Sequence, residues 1–276
     1  MKKAFRVVGL ITTFSFVGAY AISNKIDHSK NDQERGYQSF EKLADVARAV
    51  FQEEMVQVDQ LNLSAAKKLK LVFNNGTIKI QNTEGSDLRI TKTVPKSAAD
   101  NKNVLAKLLS KTGVDQTTIT LGEESKLDSK QIIEVFVPKT FRDIRIETTA
   151  ADLDVKDLAV YLMNVASKSG DLRLRRTNFE SFEFDTVSGD VSAIEVHGNH
   201  LKLNSVSGDV ILANFTLEQL NLNSTSGDLL IKPNAGAHYV IDAKSVTGDI
   251  SNQAKYQGDS QKKISANTVS GDIRFE

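Results

Sequence analysis

From Ile144 onward the apolar positions keep a beat. Ile144, Met163, Phe182, Leu201, Leu220, Ile241 and Ile264 each stand seven residues before one position of a recurring corner. Two residues later come Ile146, Val165, Phe184, Leu203, Leu222, Ala243 and Ala266, and two after that a hydroxyl: Thr148, Ser167, Thr186, Ser205, Ser224, Ser245 and Thr268. The corner is Ser169-Gly170-Asp171, repeated as Ser188-Gly189-Asp190, Ser207-Gly208-Asp209 and Ser226-Gly227-Asp228 at a step of 19 residues. Thr247-Gly248-Asp249 follows after 21 residues and Ser270-Gly271-Asp272 after another 23, while Ala150-Ala151-Asp152 is a degenerate earlier copy. Leu153, Leu172, Val191, Val210, Leu229, Ile250 and Ile273 close the units. Apolar residues at every second position are the period of a strand, not of a helix.

Parity locates a bend. Apolar residues sit at odd distances from the glycine before the hydroxyl and at even distances after it, so the chain turns near Thr186-Val187. A 19-residue unit cannot bury its own inner face, but copies stacked about 4.8 Å apart make one continuous core. The pattern predicts an all-β fold, a parallel β-solenoid of about 19-residue coils, regular from residue 144. An antiparallel sandwich would need alternating hairpins and would not place like residues at a fixed step.

Upstream, Leu69, Leu71, Asn75-Gly76 and Ile78 fit the same template with Phe73 in the hydroxyl position, which predicts a first, irregular coil. Segments 88–94, 117–121 and 131–137 are strand-like and are expected to form wider coils, extending the solenoid over 56–276. Val104, Leu105, Leu108 and Leu109 predict one small helical insertion within 98–111. Residues 22–55 comprise a polar linker and an amphipathic helix that places Tyr37, Phe40, Leu43, Ala44, Ala47, Val50 and Phe51 on one side. Its expected role is to cover an apolar surface of its own protein. Docking on a membrane surface is disfavoured by the mixed charge of its polar face. Lys2, Lys3 and Arg6 precede an uncharged apolar run ending in Ala19-Tyr20-Ala21, the pattern of a signal peptide over 1–21 cleaved after Ala21. An uncleaved anchor is the alternative, and either places the remainder outside the cytoplasm: periplasm, cell surface or secreted.

Composition narrows the function. The chain has 276 residues, 35 basic and 35 acidic, and this zero net charge offers nothing to a nucleic acid. It contains no Cys, which excludes disulfides, zinc-thiolate sites, iron–sulfur clusters and a cysteine nucleophile. With no Trp, a Trp-lined sugar platform is excluded as well. No G-x-S-x-G, P-loop or G-x-G-x-x-G is present.

The run IEVFVPKTFRDIRIETTAADLDV, leading into four SGD copies with Val137, Pro138 and Phe141 as its entry, resembles the bacterial β-strand-repeat family known as "putative adhesins", a domain-of-unknown-function type. The resemblance covers about 69–276. It implies an exported bacterial protein with a right-handed β-helix-like fold and no assigned catalytic residues.

Of the repeated rows, the aspartates carry the most chemistry. Carboxylates stacked about 4.8 Å apart would repel by about 0.9 kcal/mol per pair in water and about 3.5 kcal/mol at an effective dielectric of 20. Strand parity turns them to solvent, where turn N–H groups are their expected partners. A calcium row at Asp171, Asp190, Asp209, Asp228, Asp249 and Asp272 is the weaker alternative, since the nine-residue calcium β-roll repeat is absent. The hydroxyls are expected to bond along the stack as a polar ladder. His197 and His200 lack a third ligand, and Lys168, Arg173, Arg175 and Arg176 are expected to be solvated and paired with Glu180 and Glu183.

The terminal coil ending at Glu276 is expected to leave its edge open for self-association or for a partner. These features predict a non-enzymatic exported envelope protein, adhesin-like or scaffolding, that needs no cofactor. Its partner would be an envelope component, a glycan or a protein. A calcium-binding solenoid and a carbohydrate-active β-helix enzyme are the alternatives.

Overall fold

A computed structural model of the protein describes residues 55–64, 68–99, 108–112, 116–121 and 131–276. The expected signal segment, linker and amphipathic helix fall on 1–54, outside the described residues.

The described chain is all-β. Its strands are β1 (Met55–Ser64), β2 (Lys68–Thr83), β3 (Asp87–Pro95), β4 (Leu108–Thr112), β5 (Gln116–Leu121), β6 (Ile132–Pro138), β7 (Asp143–Lys156) and β8 (Ala159–Ser167). There follow β9 (Leu172–Ser188), β10 (Val191–Ser207), β11 (Val210–Ser226), β12 (Leu229–Pro233), β13 (Val240–Thr247), β14 (Ile250–Ser251), β15 (Lys263–Ser270) and β16 (Ile273–Phe275). One sheet holds all sixteen. Its long central part is parallel, with strands added in succession, and is compatible with a solenoid.

The 19-residue step is the register of the sheet. Leu201 pairs with Phe182 on one side and Leu220 on the other, and Val191 lies between Leu172 and Val210. The first irregular coil is present: β2 lies parallel to β7 with Leu69 opposite Ile144, Phe73 opposite Thr148 and Gly76 opposite Ala151.

Each regular coil has three straight sides, and the bend expected near Thr186-Val187 is one of three. In the coil of Gly208 the buried residues are Val210 and Leu212, then Phe215 and Leu217, then Leu220, Leu222 and Ser224. Inward parity therefore breaks three times per turn. One break lies at the Ser-Gly-Asp corner. A second lies at Asp157, Arg176, Glu195 and Asn214, all left-handed at φ between 49° and 57°. The third lies where Glu218 and Gln219 both stay outside the core. An odd repeat length requires an odd number of such breaks if like residues are to return to the same face. A buried leucine or phenylalanine contributes about 1.5–3 kcal/mol, and its like neighbours above and below complete its packing.

Three expectations change at the ends. The wider coils are present only in part: β5 and β6 lie parallel to the two halves of β2, as a stacked coil would, whereas segment 87–95 forms no coil, β3 running antiparallel to both β1 and β6. The insertion is only partly helical. A single turn, α1 (Lys96–Ala99), is followed after the undescribed residues by β4, so Leu108 and Leu109 lie in a strand antiparallel to β5. Leu108 is buried and Leu109 half exposed, as alternation along a strand requires.

The third change concerns order. β11 pairs with β15, and β15 pairs with β13, so coil 263–275 lies between coils 220–233 and 240–251. β16 likewise lies between β12 and β14. The coil expected to stand open at the end is thus paired on both sides, and 240–251 is outermost. Four residues after the corner glycine, inner coils bury Val155, Leu174, Ala193, Leu212, Ile231 and Phe275, whereas the outermost coil has Asn252, which is exposed and left-handed. An amide there can face water but cannot occupy a core row without a partner.

The connection between the two coils partly covers the outer edge. Tyr239 N donates to Tyr256 O at 2.9 Å, Gly258 N donates to Tyr239 O at 3.2 Å, and Gln253 Nε2 donates to Ile241 O at 3.2 Å. Side-chain and loop cover of this kind blunts an edge strand.

Candidate functional site

The repeated corner is the most chemically loaded feature. Its glycine has φ of 130° at Gly189 and 124° at Gly208, and a Cβ on Gly189 would fall 2.2 Å from the carbonyl oxygen of Gly170. Consecutive corners stack backbone on backbone, which only glycine permits. The close contacts follow the spatial order, Gly271 against Gly227 and Gly248 against Gly271.

The aspartates bind coil to coil. Asp152 Oδ1 accepts the backbone N–H of Asp171 at 2.9 Å, Asp171 that of Asp190 at 3.1 Å, and Asp190 that of Asp209 at 2.9 Å. The ladder continues through Asp209 to Asp228 at 2.9 Å, Asp228 to Asp272 at 2.8 Å and Asp272 to Asp249 at 2.9 Å. A charge-assisted bond to N–H offsets the repulsion between neighbouring carboxylates, and exposure screens the rest. One oxygen of each inner carboxylate is committed to the backbone of the neighbouring coil, so these aspartates cap coil on coil.

The hydroxyls do not form a ladder along the stack. Ser167, Thr186, Ser205 and Thr268 donate to the carbonyl two residues on in their own coil, at 2.7, 3.0, 3.0 and 3.3 Å. Their inward position beside the corner places that carbonyl closer than the next hydroxyl, so each side chain braces its own turn. The other three differ: Thr148 Oγ1 accepts from Ala151 N at 3.1 Å, Ser245 donates across to Gly271 O at 2.9 Å, and Ser224 Oγ is buried without a hydrogen-bond partner.

An unanticipated row lies outside the same wall. Asn204 Nδ2 donates to Asp185 Oδ1 at 2.6 Å, Asn223 to Asn204 at 2.9 Å and Asn267 to Asn223 at 3.1 Å. One position along, Lys202 Nζ sits 2.6 Å from Glu183 Oε1, and that carboxylate holds the ammonium above the usual lysine range. The signal was available in the sequence as Asp185, Asn204, Asn223 and Asn267 four residues before their glycines.

The three arginines of the basic cluster are paired, though not with the expected acids. Arg175 meets Asp154 at 2.9 Å, Arg176 meets Asp157 at 2.6 Å and Arg173 meets Asp171 at 3.1 Å. Coil stacking, which brings residues 19 and 21 apart into contact, selects the partners of Arg176 and Arg175, whereas Arg173 meets an acid two residues before it in its own coil. Glu180 instead accepts from Asn199, and Glu183 from Lys202. His197 and His200 are exposed on one coil, and no group of three metal-ligating side chains occurs among the described residues.

Sequence reading also missed Lys92, fully buried in phase with Leu88, Ile90 and Val94 and paired in register with Asp59. Burial lowers its pKa, and the Asp59 carboxylate opposes that shift. Of the surface hollows, one of about 550 Å³ is lined by Arg142, Tyr161, Asn178 and His197, and one of about 620 Å³ by Lys232, His238, Lys255 and Tyr256. Neither brings together a nucleophile and a base. No helix among the described residues is long and apolar enough to cross a membrane.

Residues 66–276 match the family model described as Toastrack DUF4097. Among solved structures, the chain is similar to a "putative adhesin" from Bacteroides fragilis NCTC 9343, at 12% identity over 81% of this chain and 98% of that one, with a TM-score of 0.45. It is also similar to a "putative lipid binding protein" from Parabacteroides distasonis ATCC 8503, at 11% identity over 80% and 96%, with a TM-score of 0.43. A "putative cell adhesion protein" from Clostridium sporogenes ATCC 15579 matches at 12% identity over 80% and 99%, with a TM-score of 0.39. No curated protein matches the chain.

Proposed function

The chain belongs to the Toastrack DUF4097 family, and we propose that it is a non-enzymatic exported envelope protein, adhesin-like or scaffolding, built as a right-handed β-solenoid. It would hold a glycan or protein partner against its outward rows. The observation that carries this reading is the division of labour across each coil. Glycine and aspartate are occupied in joining coil to coil and the hydroxyls in bracing their own turns. The outward wall carries an aligned row, Asp185, Asn204, Asn223 and Asn267, whose members bond one to the next and leave their remaining donors and acceptors outward.

Amides in register about 4.8 Å apart present donors and acceptors at a regular pitch, which suits a repetitive or extended partner better than a single small substrate. Reaction chemistry would instead need convergent groups of different kinds at one place. The polar, mixed-charge rows give no purchase to nucleic acid, and no cofactor enters this reading.

The test has two arms. Protease that cannot cross the outer layer is applied to intact producing cells, and the mature N-terminus is read by mass spectrometry. Loss of the repeat region, with a mature chain beginning at Ile22, supports surface adhesion; full protection until the envelope is opened overturns the surface version and leaves the scaffold. In the second arm, Asn204→Ala combined with Asn223→Ala is compared with the parent for glycan and envelope-protein capture. Equal capture by both removes the amide row from the proposal.

A further inference from the structure

The last two coils contain a slot and a plug. The slot is the space between coils 220–233 and 240–251, and the plug is segment 263–275, seated in register against both. Ile264, Ala266, Thr268, Ile273 and Phe275 of the plug are all buried. Its strands pair with both neighbours along their length, yet it is joined to the rest only through 252–262, which contains no strand.

Chain order requires an open place beside β11 when segment 263–275 arrives. Residues 240–251 emerge before 263–275, and growth coil upon coil would lay 240–251 directly on β11. For the observed order to arise, that place must be vacant or vacated when the plug arrives. The outermost coil is a poor occupant, because Asn252 would fall in the row where Phe275 is buried. The slot therefore selects the plug by pattern, and any copy of the plug meets the same pattern.

We propose that two copies of this chain associate by exchanging segment 263–275, each filling the other's slot. Every contact of plug with slot is retained in the exchanged pair; only connection 252–262 changes course, and its few bonds to Tyr239 and Ile241 are the contacts given up. Reciprocal exchange of an identical element is for that reason a low-cost route to a dimer. Its barrier is withdrawal of five buried side chains and two rows of backbone bonds, so exchange occurs during folding or on partial unfolding. The proposal does not depend on what the outward rows bind.

The absence of cysteine makes the test direct. Asn221 and Ser265 face each other across β11 and β15, at the spacing of adjacent strands, which a disulfide can bridge. Asn221→Cys and Ser265→Cys are made as separate variants, mixed unfolded, refolded together at high concentration and oxidised. A covalent two-chain product that vanishes when the two are refolded apart and then mixed is expected.

The double variant, refolded dilute, should close within one chain and so controls for geometry. Its closure without any two-chain product in the mixture overturns the proposal. Sedimentation of the unmodified chain refolded at high concentration is the second measurement. A dimer fraction that grows with refolding concentration is expected, and a strict monomer throughout overturns the proposal whatever the variants do.

Discussion

Between Gly170 and Ser226 each coil stacks on the one before it in the chain, whereas beyond Ser226 spatial order and chain order part. The middle coils repeat at 19 residues, bury the same rows and share corner geometry; Gly227 and Gly271, which touch, stand 44 residues apart. The same Gly-Asp corner, preceded by Ser or Thr, serves both regions. What differs is the quality of the coils. In the middle every coil is fit to be interior, so order costs nothing. At the end one coil is fit to be interior and one to face water, and the chain doubles back to place each where it belongs. A repeat thus specifies the interface between coils more tightly than it specifies their sequence of assembly.

That contrast can be broken most severely at a corner. Gly208→Val should abolish folding or cost on the order of 3 kcal/mol or more, because a side chain at φ 124° would meet the Gly189 carbonyl at 2.2 Å. Gly236→Ala, at φ 76° with nothing within 4 Å, should cost about 1 kcal/mol through backbone strain alone. Urea unfolding of the pair gives the ratio, and equal costs would mean that the stacked carbonyls are not the constraint.

Next in size, Phe275→Ala should cost about 3–5 kcal/mol and Ile250→Ala less than about 1 kcal/mol, since the first side chain is fully buried and the second 39% exposed. The reverse ranking would place coil 240–251 inside and return the chain to simple order.

The aspartate ladder offers a finer comparison. Asp209→Ala removes the acceptor of the Asp228 N–H and should cost about 1–2 kcal/mol. Asp249 caps no further coil among the described residues, and Asp249→Ala should stay within about 0.5 kcal/mol by thermal or urea unfolding. Similar values for the two would show that the carboxylates act through something other than capping.

The smallest effect is electrostatic and belongs to the other end of the stack. Lys70, hydrogen-bonded to Glu147, holds that carboxyl below its ordinary pKa, with Arg145 adding to the shift. A carboxylate depressed by folding stabilises above its unfolded pKa, and that contribution disappears as pH falls through the folded value. Glu147→Gln should therefore cost a few tenths of a kcal/mol at pH 7, about 0.5 at most for a partly exposed pair, and the loss should shrink as pH falls below the ordinary carboxyl range. Urea midpoints of parent and variant followed down through that range check the sign; a gap that widens toward acid contradicts it.

Much of the fold is legible in the residues because side-chain parity and a 19-residue step record both the inner face and the partner strand. The corner chemistry is legible too. Gly189 and Asp190 belong to rows that only stacking explains, and the aspartates proved to be acceptors of turn N–H groups as expected. The amide row was overlooked although Asn204, Asn223 and Asn267 share one phase, since polar residues outside a strand carry no burial signal. The partners of Arg175 and Arg176 were misjudged because contacts across coils, 19 and 21 residues apart, displace those nearby in the chain.

By itself the sequence determined that like residues stack, where the inner rows run and why glycine and aspartate share a corner, because those rest on period and parity. Only the tertiary structure decided which of the last two coils lies inside. Both carry the same signature, and the choice turns on whether Phe275 or Asn252 is given to the core, a difference of burial that appears once a neighbour exists on each side.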